Sequence, residues 1–312
     1  PRERFEHAPS LPVLRSHYEY EELTFLPGLM GAYSPDDYDV TCTCSYPFSN
    51  WALRAMRGRR PRPAHIFITQ NADWQAQAGN AEYRFFGCDG LVCTNPVYYE
   101  RNRARWRSAL IPNGVDATIF APGPRRSRFG MPHDAPVALI VSALIPSKRV
   151  LEGIRAVAQL KNLHLLVAGD GDLRAEVDAL GGQLLGSRFR RVTVSHAEMP
   201  DLYRAADVLL HMSQADPSPL AYIEAIATGL PVVAHDEPVT RWTFEDAAFL
   251  VDNSNLSNVV AALDRALRST SPDQVAARRS LVERRFTWSA IAQSYAEFFE
   301  EVLSVRSSPR AR

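Results

Sequence analysis

Short apolar runs alternate with longer segments of mixed polarity along most of the chain. Runs such as VALIV and LPVVA hold four or five apolar residues, which is typical of parallel strands buried on both faces. The segments between them have the length and composition of helices. This alternation favours an α/β fold with parallel sheets.

The predicted strands share an apolar run bounded by turn-forming residues. In the first part of the chain they are Asp39 to Ser45, His65 to Thr69, Gly90 to Thr94 and Ala109 to Pro112. In the second part they are Val137 to Ser142, His164 to Ala168, Arg191 to Val194, Asp207 to Met212, Pro231 to Ala234 and Phe249 to Val251. Four strands are few for a complete open sheet, so we expect the first domain to lack an opening βα unit.

The predicted helices occupy the gaps between these strands. The first part contains Ser49 to Arg57, Ala81 to Phe86 and Pro96 to Arg105. The second contains Ser147 to Leu160, Leu173 to Leu180, Pro200 to Ala205, Pro219 to Thr228 and Leu256 to Ser269, followed by Asp273 to Val305 with a break near Thr287. Pro1 to Tyr20 is similar to a loop from the middle of a domain, so we expect the natural protein to begin earlier.

A turn at Asn113-Gly114 and a run rich in proline and arginine separate the two series. We therefore predict a first domain over residues 1–120, a linker over 121–136, a second domain over 137–285 and a final helix over 286–305. In two doubly wound domains joined by one linker, the ligand is expected at the carboxyl ends of the strands.

Composition excludes several classes of protein. The chain has 312 residues, 46% of them hydrophobic, and equal numbers of basic and acidic residues, so no overall field attracts nucleic acid. Three arginine clusters, at 54–62, 101–107 and 125–128, are interpreted as solvated faces, with contact to acidic lipid headgroups as a weaker alternative. No run of about 18 apolar residues predicts a membrane span.

The four cysteines, Cys42, Cys44, Cys88 and Cys93, do not have a common zinc spacing. We interpret them as buried free thiols in a reducing compartment, with a zinc site as the minor alternative. We expect a cytoplasmic protein, at the inner face of the membrane if the arginine clusters contact lipid.

The segment Asp216 to Ala234, DPSPLAYIEAIATGLPVVA, carries the first candidate site. Ser218 followed by proline marks a helix start, and Gly229 marks its end. The helix between them is apolar except for Glu224, whose burial is costly without a polar partner. Glu224 either fills a thin polar stripe or salt bridge, or it accepts hydrogen bonds from a ligand's hydroxyls. Asp216 on the preceding loop and the amides at the helix start favour the second interpretation.

A second candidate site follows the strand Val137 to Ser142. Ser147 can cap the next helix, which would place Lys148 and Arg149 in its first turn. Cations there oppose the helix dipole at a cost of roughly a few tenths of a kcal/mol. Either the two side chains bend into water, or they bind an anion such as a diphosphate together with the helix amides. The acids at the same edge favour anion binding.

These segments resemble glycosyltransferase family 4, which are retaining enzymes of the GT-B fold that use nucleotide sugars. The matching segments occur in the family's order and are IPNGVD (111–116), SALIPSKRV (142–150), LLVAGDG (165–171), MPDLYRAADVLLHMS (199–213), the acid pair Asp216 and Glu224 with EAIATGLPVVA, and FEDAAFLVD (244–252). The resemblance covers roughly the last two thirds of the chain. The stretch Asp216 to Ala234 is specific, whereas GDG or PNGVD alone is weak.

The resemblance implies two Rossmann-like, doubly wound domains, the first on the acceptor side and the second binding the nucleotide sugar, with the final helix crossing back to the first. Glu224 would hold the ribose hydroxyls, and Asp216, where the family more often has glutamate, would contact the transferred sugar. Lys148 would neutralise the diphosphate. The other donor-binding residues implied are Arg149, Gly169, Ser218 and the amides of Leu220 and Ala221.

The implied chemistry retains the anomeric configuration by front-face attack through an oxocarbenium-like state. Lysine and helix amides stabilise the leaving diphosphate, so neither a metal ion nor a cofactor is expected. The implied partners are a nucleotide sugar and a glycan or glycolipid acceptor, in the assembly of surface polysaccharide or glycolipid. The acceptor candidates lie on loops after strands of the first domain. They are Gln70, Asn71, Asp73, Trp74 and Tyr98.

Several departures from the family pattern leave a second function open. Alanine occupies position 143, where the family usually has arginine, and Asp-Pro-Ser-Pro replaces Glu-Gly-Phe-Gly with the loss of two amides. The family's first-domain histidine is not evident near Gln70 and Asn71. The alternative is therefore a catalytically silent relative that binds a nucleotide sugar or a partner protein. A nicotinamide dehydrogenase is a distant third, because neither domain has a GxGxxG turn.

Overall fold

The computed structural model describes residues 17–70, 72–79, 83–124, 129–217 and 220–307. The chain divides into two compact units, one comprising Pro1–Pro112 with Ala292–Arg312 and the other Asn113–Ile291. The division therefore falls before the predicted linker, whose residues belong to the second unit.

The first unit contains a parallel sheet of four strands in the order β1-β2-β3-β4. The strands are β1 (Val40–Thr43), β2 (Ala64–Ile68), β3 (Gly90–Cys93) and β4 (Ser108–Leu110). The helices are α1 (His17–Ala32), α2 (Phe48–Ala55) and α3 (Pro96–Asn102). All four predicted strands are confirmed. Because the strands follow in chain order, the described part of this sheet has no point where the order reverses.

Two helices of this unit differ from the prediction. Residues from position 17 onward form α1, although Pro27 and two glycines in the segment are helix-breaking signals. The Glu22 carboxylate on α1 accepts a hydrogen bond from the Ser49 amide at the start of α2 (2.8 Å), a tertiary contact that the local sequence does not predict. The helix predicted over Ala81 to Phe86 is not formed in its described residues 83–86, which make a turn.

The cysteines also differ from the prediction. Cys42 and Cys44 are exposed, Cys88 is half-buried and Cys93 is buried, and all four are free thiols. The prediction of buried thiols is wrong for Cys42 and Cys44, which lie on or next to β1, an edge strand that pairs with β2 alone among the described residues.

The second unit contains a parallel sheet of six strands in the order β10-β9-β8-β5-β6-β7. The strands are β5 (Val137–Val141), β6 (His164–Ala168), β7 (Phe189–Val192), β8 (Val208–Leu210), β9 (Val232–His235) and β10 (Phe249–Val251). All six were predicted, with β7 displaced toward the start of the chain. This agreement confirms the α/β, doubly wound architecture for the second unit.

The helices of the second unit cover both faces of its sheet. They are α4 (Val150–Ala158), α5 (Arg174–Leu185), α6 (Met199–Arg204), α7 (Leu220–Ala227), α8 (Pro238–Phe244), α9 (Leu256–Leu267), α10 (Pro272–Arg285) and α11 (Trp288–Ser307), which continues past Ile291 into the first unit's residues. The sequence analysis missed α8, whose short length and proline start give little periodic signal.

The core of the second unit has two apolar clusters, one on each face of the sheet. Alternate residues of β5 enter different clusters, with Val137 and Leu139 in one and Ala138 and Ile140 in the other. Strand β5 pairs with both β6 and β8, so the strand order reverses between β5 and β8. This reversal is the topological switch point at which doubly wound sheets bind ligands.

Candidate functional site

Two candidate residues meet at the switch point of the second sheet. The loop after β5 carries Lys148 and the loop after β8 carries Asp216, and these strands are paired neighbours. The Lys148 Nζ donates to Asp216 Oδ2 in a short ion pair. The two side chains are 24% and 12% exposed, so the pair lies at a rim rather than in the core.

The loop after β5 has a different conformation from the one predicted. Pro146–Lys148 form a 3-10 turn, and Arg149 has a φ of 52° at the N-cap position of α4. Lys148 and Arg149 therefore precede the helix instead of occupying its first turn. The expected unfavourable interaction with the helix dipole does not apply in this arrangement.

His211 extends the pair into the interior. It is the residue directly after β8 and is 4% exposed. Its Nε2 lies 3.5 Å from Asp216 Oδ2, and its Nδ1 lies 2.8 Å from the hydroxyl of Tyr222 on α7. Burial and the Lys148 cation lower the pKa of His211 to about 4, although Asp216 acts in the opposite direction. At neutral pH the ring is therefore uncharged, and the tautomer protonated at Nε2 would donate to the carboxylate and accept from the phenol at Nδ1.

Glu224 lies in the interior of α7 and is 9% exposed. The hydroxyl of Tyr203 on α6 donates to its Oε2 at 2.6 Å. Burial raises the pKa of Glu224, and the Tyr203 hydrogen bond and the nearby His196 partly oppose this shift. No lysine or arginine of the described chain forms an ion pair with this carboxylate, which can accept further hydrogen bonds. Glu224 is thus placed neither in a salt bridge nor in a solvated stripe.

The two parts of the site lie on different faces of α7. Tyr222 and Glu224 are two residues apart, and such residues do not face each other on a helix. Tyr222 contacts His211, which contacts Asp216, whereas Glu224 accepts a hydrogen bond from Tyr203. The structure therefore joins Lys148 to Asp216, and the contacts of Glu224 are separate from that pair.

The guanidinium of Arg149 is used to join neighbouring loops. Its two terminal nitrogens donate to Asn253 Oδ1 (2.9 Å) and to the Asn253 carbonyl (3.4 Å), after β10. Asn253 is 1% exposed and in turn donates to the Met212 carbonyl after β8 (2.9 Å). These contacts make Arg149 a structural link between the loops after β5, β8 and β10, and its predicted contact with the donor stays a prediction.

Two glycines allow the loops after β5 and β6 to pack closely. A Cβ at Gly169 would lie 1.9 Å from the Ser142 carbonyl oxygen, and one at Gly171 would lie 2.7 Å from that of Leu144. No side chain fits at Gly169 without moving backbone. Gly169 therefore allows the close approach of two loops, and its predicted donor-binding role stays a prediction.

The start of α7 is described in part. Leu220 is its first residue and is 41% exposed, and Ala221 is half-buried. The predicted contacts of their amides with phosphate stay predictions. Ser218 lies outside the described residues.

In the first unit, Asp73 belongs to a structural network. Its buried carboxylate accepts hydrogen bonds from Gln77 (3.1 Å), Arg101 (3.0 Å) and Asn102 (2.7 Å). Three donors already occupy these oxygens, which leaves little capacity for a substrate hydroxyl.

The other acceptor candidates are less enclosed. Gln70 and Tyr98 are half-buried, and Trp74 is 58% exposed. Asn71 lies outside the described residues. The predicted contacts of Gln70, Trp74 and Tyr98 with an acceptor stay predictions.

Sequence reasoning missed four residues of the hydrogen-bond networks around Asp216 and Glu224, namely Tyr203, His211, Tyr222 and Glu237. A buried tyrosine hydroxyl needs a hydrogen-bond partner, and this was the available signal for both tyrosines. Burial and the nearby Asp216 carboxylate raise the pKa of Glu237, while a hydrogen bond from the Asp216 backbone amide lowers it. His211 directly follows β8 and Glu237 is the second residue after β9, and neither position gave a periodic signal.

The described residues lack two further features, a metal-binding cluster and a membrane-spanning helix. No group of three or more histidine, cysteine, aspartate or glutamate side chains in the described ranges is arranged to hold a metal ion. Within the same ranges, no helix is sufficiently long and apolar to cross a membrane.

Comparison with curated proteins finds relatives that act on sugars. The chain is similar to D-inositol 3-phosphate glycosyltransferase of Kineococcus radiotolerans, with 31% identity over 234 residues that cover 64% of this chain and 53% of the relative. It is also similar to the protein of that name from Mycolicibacterium smegmatis, with 28% identity over 229 residues covering 68% and 52%. The chain spans about half the length of the curated relatives it matches.

Solved structures show the same fold. Sucrose-phosphate synthase from Thermosynechococcus elongatus has a TM-score of 0.74 at 23% identity, covering 98% of this chain and 80% of that one. Anabaena HepE in complex with UDP-glucose has a TM-score of 0.71 at 17% identity, covering 90% and 82%. These likenesses confirm the predicted GT-B class of α/β fold.

The family assignment rests on the second unit, which contains the rim. Residues 125–284, just over half of the chain, match the family described as glycosyl transferases group 1. The matched range includes Lys148, Asp216 and Glu224. The chain belongs to the glycosyl transferases group 1 family.

Proposed function

We propose that this chain acts as a retaining glycosyltransferase, which moves a sugar from a nucleoside-diphosphate donor to an acceptor hydroxyl. The observation that carries the proposal is the Lys148–Asp216 ion pair at the switch point. A cation and an acid from neighbouring loops meet at the rim where doubly wound sheets bind ligands. In a nucleotide-sugar donor, the diphosphate is a partner for Lys148 and the sugar hydroxyls are partners for Asp216.

Lys148 has the role of neutralising the diphosphate. As the bond between sugar and diphosphate breaks, negative charge develops on the leaving oxygen, and a preorganised cation stabilises it. The amides of Leu220 and Ala221 at the start of α7 add to this effect. In this proposal the lysine and the amides suffice, and no metal ion takes part.

Glu224 has the role of accepting hydrogen bonds from the ribose hydroxyls. An α-helix rises about 1.5 Å per residue, so Glu224 lies about 6 Å along the axis from Leu220. One nucleoside diphosphate can span that length, with its diphosphate at the helix start and its ribose at Glu224. The Tyr203 hydroxyl holds the carboxylate in place.

Asp216 has the role of contacting the transferred sugar once Lys148 has turned to the diphosphate. The acceptor hydroxyl then attacks the anomeric carbon from the side on which the diphosphate departs. Its proton passes to the leaving phosphate oxygen, and the anomeric configuration is retained. We assign the acceptor to the first unit, with Gln70, Trp74 and Tyr98 as candidates.

The substrates to test first come from the named relatives. UDP-glucose is the ligand of the similar HepE structure, so it is the first donor. The curated relatives are named for D-inositol 3-phosphate, so an inositol phosphate is the first acceptor. A glycan or glycolipid acceptor in surface polysaccharide assembly completes the proposal. Free thiols are typical of a reducing compartment, which supports a cytoplasmic location.

A catalytically silent nucleotide-sugar-binding protein is the second candidate. Ala143 is exposed at the rim and supplies no cation, where the resembled family usually has arginine. Arg149 is committed to Asn253 and is therefore poorly placed to substitute for it. One cation then faces a doubly charged diphosphate, and this is the observation that favours the second candidate.

The test is release of UDP by the full chain from a panel of nucleotide sugars, with and without acceptors. The chain contains two lysines, Lys148 and Lys161, and the exposed Lys161 provides a matched control. Turnover in the native chain and in Lys161→Ala that is lost in Lys148→Ala and Glu224→Ala supports the enzyme. Tight binding without release favours the silent protein, and failure to bind any nucleotide sugar would overturn both.

A further inference from the structure

We propose that His211, backed by Tyr222, is a positioning residue that holds the Asp216 carboxylate when the donor diphosphate draws Lys148 away from it. This inference rests on the proposed function, because it assigns a step in donor binding to the same rim. It identifies which of the two partners of Asp216 stays and which leaves.

The two partners share one oxygen of the carboxylate. Lys148 donates to Asp216 Oδ2, and His211 Nε2 lies 3.5 Å from the same atom. The contact with His211 is too long for a strong hydrogen bond while lysine occupies the oxygen. Departure of the lysine leaves Oδ2 open, and the imidazole N–H is the nearby donor able to shorten its contact.

Lys148 and His211 differ in mobility. Lys148 carries its charge on a flexible stem, and its side chain is 24% exposed at the rim. His211 is 4% exposed, and its ring packs edge-to-face against Tyr222 with centroids 4.6 Å apart. The lysine can therefore follow an incoming anion, whereas the imidazole is held by its surroundings.

Tyr222 decides which ring nitrogen carries the proton. Its hydroxyl is 2.8 Å from His211 Nδ1 and lies in the core, where the phenol is 1% exposed. A hydroxyl that donates to Nδ1 leaves the single proton of a neutral ring on Nε2, which faces Asp216. The opposite tautomer would place a lone pair against the carboxylate. Tyr222 thus makes His211 a donor.

Within the described ranges, Lys148 is the one lysine or arginine that forms an ion pair with Asp216. Arg149 is occupied by Asn253, and the neighbouring Glu237 is itself an acid whose carboxylate receives the Asp216 backbone amide. Among the described residues, His211 is the donor side chain that remains in contact with the Asp216 carboxylate after Lys148 leaves. A neutral donor also preserves the negative charge with which Asp216 meets sugar hydroxyls.

Four variants of the full chain test this role by kinetics with UDP-glucose. His211→Leu removes the donor, His211→Gln keeps an amide N–H near the position of Nε2, Tyr222→Phe removes one hydroxyl, and Lys161→Ala is the control. We expect kcat to fall about a hundredfold in His211→Leu and about tenfold in Tyr222→Phe, with the KM for donor within about threefold of native. His211→Gln should recover most of kcat.

Two kinetic results would contradict the proposed role of His211. A parallel loss of kcat and donor affinity, together with a lower melting temperature, would show that His211 is merely structural. Unchanged kcat in His211→Leu would also overturn the proposal. Absence of turnover in the native chain counts against the proposed function instead, and the spectroscopic test below then decides the positioning role.

Nuclear magnetic resonance of the full chain provides that independent readout. With ¹⁵N-labelled histidine, His211 should show a neutral ring protonated at Nε2, and Tyr222→Phe should shift its Nδ1 signal. With ¹³C-methylated lysine, the two lysines give separate signals, and added UDP should shift that of Lys148 alone. An Nδ1-protonated His211, or a Lys148 signal that saturating UDP leaves unmoved, would overturn the proposal.

Discussion

Asp73 and Asp216 are aspartates of the two units that occupy similar places and differ in character. Each lies on a loop after a parallel strand, and each pairs with a cation from another segment. The Asp73 side chain is 1% exposed and receives three donors, whereas that of Asp216 is 12% exposed and shares one oxygen between a lysine and a histidine. An acid whose oxygens are filled by fixed donors is structural. An acid at a rim, paired with a flexible lysine, can exchange its partner.

The difference follows from the two sheets. The described strands of the first sheet run in chain order, whereas the second sheet reverses between β5 and β8. At a reversal the connecting loops leave toward opposite faces and open a crevice between them. Lys148 and Asp216 are on the loops that border this crevice, whereas Asp73 follows a strand of a sheet whose described strands have no such reversal.

The strongest test of the comparison removes each acid in turn. Asp73→Ala leaves the donors of Arg101 and Asn102 without their acceptor, so we expect the free energy of unfolding to fall by about 3 kcal/mol. Asp216→Ala should lower it by less than about 1 kcal/mol, because Lys148 can turn to solvent. Urea unfolding followed by circular dichroism measures both values. Equal losses would mean that the two acids are equally structural.

Removing Lys148 tests whether this residue binds the phosphate groups of the donor. Lys148→Ala should weaken the binding of UDP about a hundredfold and leave that of uridine nearly unchanged, because charge-assisted hydrogen bonds to phosphate are strong. Isothermal titration calorimetry measures both affinities, and Lys161→Ala should bind both ligands as the native chain does. A similar loss for uridine would contradict the assigned contact with phosphate.

Close packing of the rim loops can be tested with a pair of glycines. Gly169→Ala should lower the free energy of unfolding by about 2 kcal/mol, because the new methyl group meets the Ser142 carbonyl. Gly182 lies on α5 with open space around it, so Gly182→Ala should raise stability by up to about 1 kcal/mol. Thermal unfolding of both variants provides the comparison. If Gly169→Ala left the stability unchanged, the loops after β5 and β6 would not be tightly packed.

The smallest expected effect concerns the buried acid on α7. Burial raises the pKa of Glu224, so its contribution to stability is present at low pH and is lost as pH rises through the raised folded pKa. Glu224→Gln resembles the protonated form and should be more stable than the native chain at neutral pH, by about 1 kcal/mol. The difference should vanish as pH falls toward the ordinary value of 4.5. Urea unfolding at several pH values measures it, and a pH-independent difference would refute this explanation.

The same variant should lose function while it gains stability. Without its charge, residue 224 accepts weaker hydrogen bonds from ribose hydroxyls, so nucleotide affinity should fall about tenfold. Calorimetry with UDP measures this loss. Unchanged affinity would remove Glu224 from the donor site.

The sequence by itself determined the ten strands, the helix between Pro219 and Thr228, and the candidates Lys148, Asp216 and Glu224. These features depend on local apolar runs, on helix start and stop signals, and on one acid in an apolar helix. They need no knowledge of which segments become neighbours, and the family resemblance rests on the same local motifs.

Only the tertiary structure decided which side chains contact each other. Lys148 and Asp216 are 68 positions apart in sequence, and they meet because β5 and β8 pair at the reversal. The same folding engages Arg149 with Asn253, fills the oxygens of Asp73 and places His211 behind Asp216. Local periodicity specifies elements, whereas pairing between loops depends on strand order, and strand order is a property of the packed sheet.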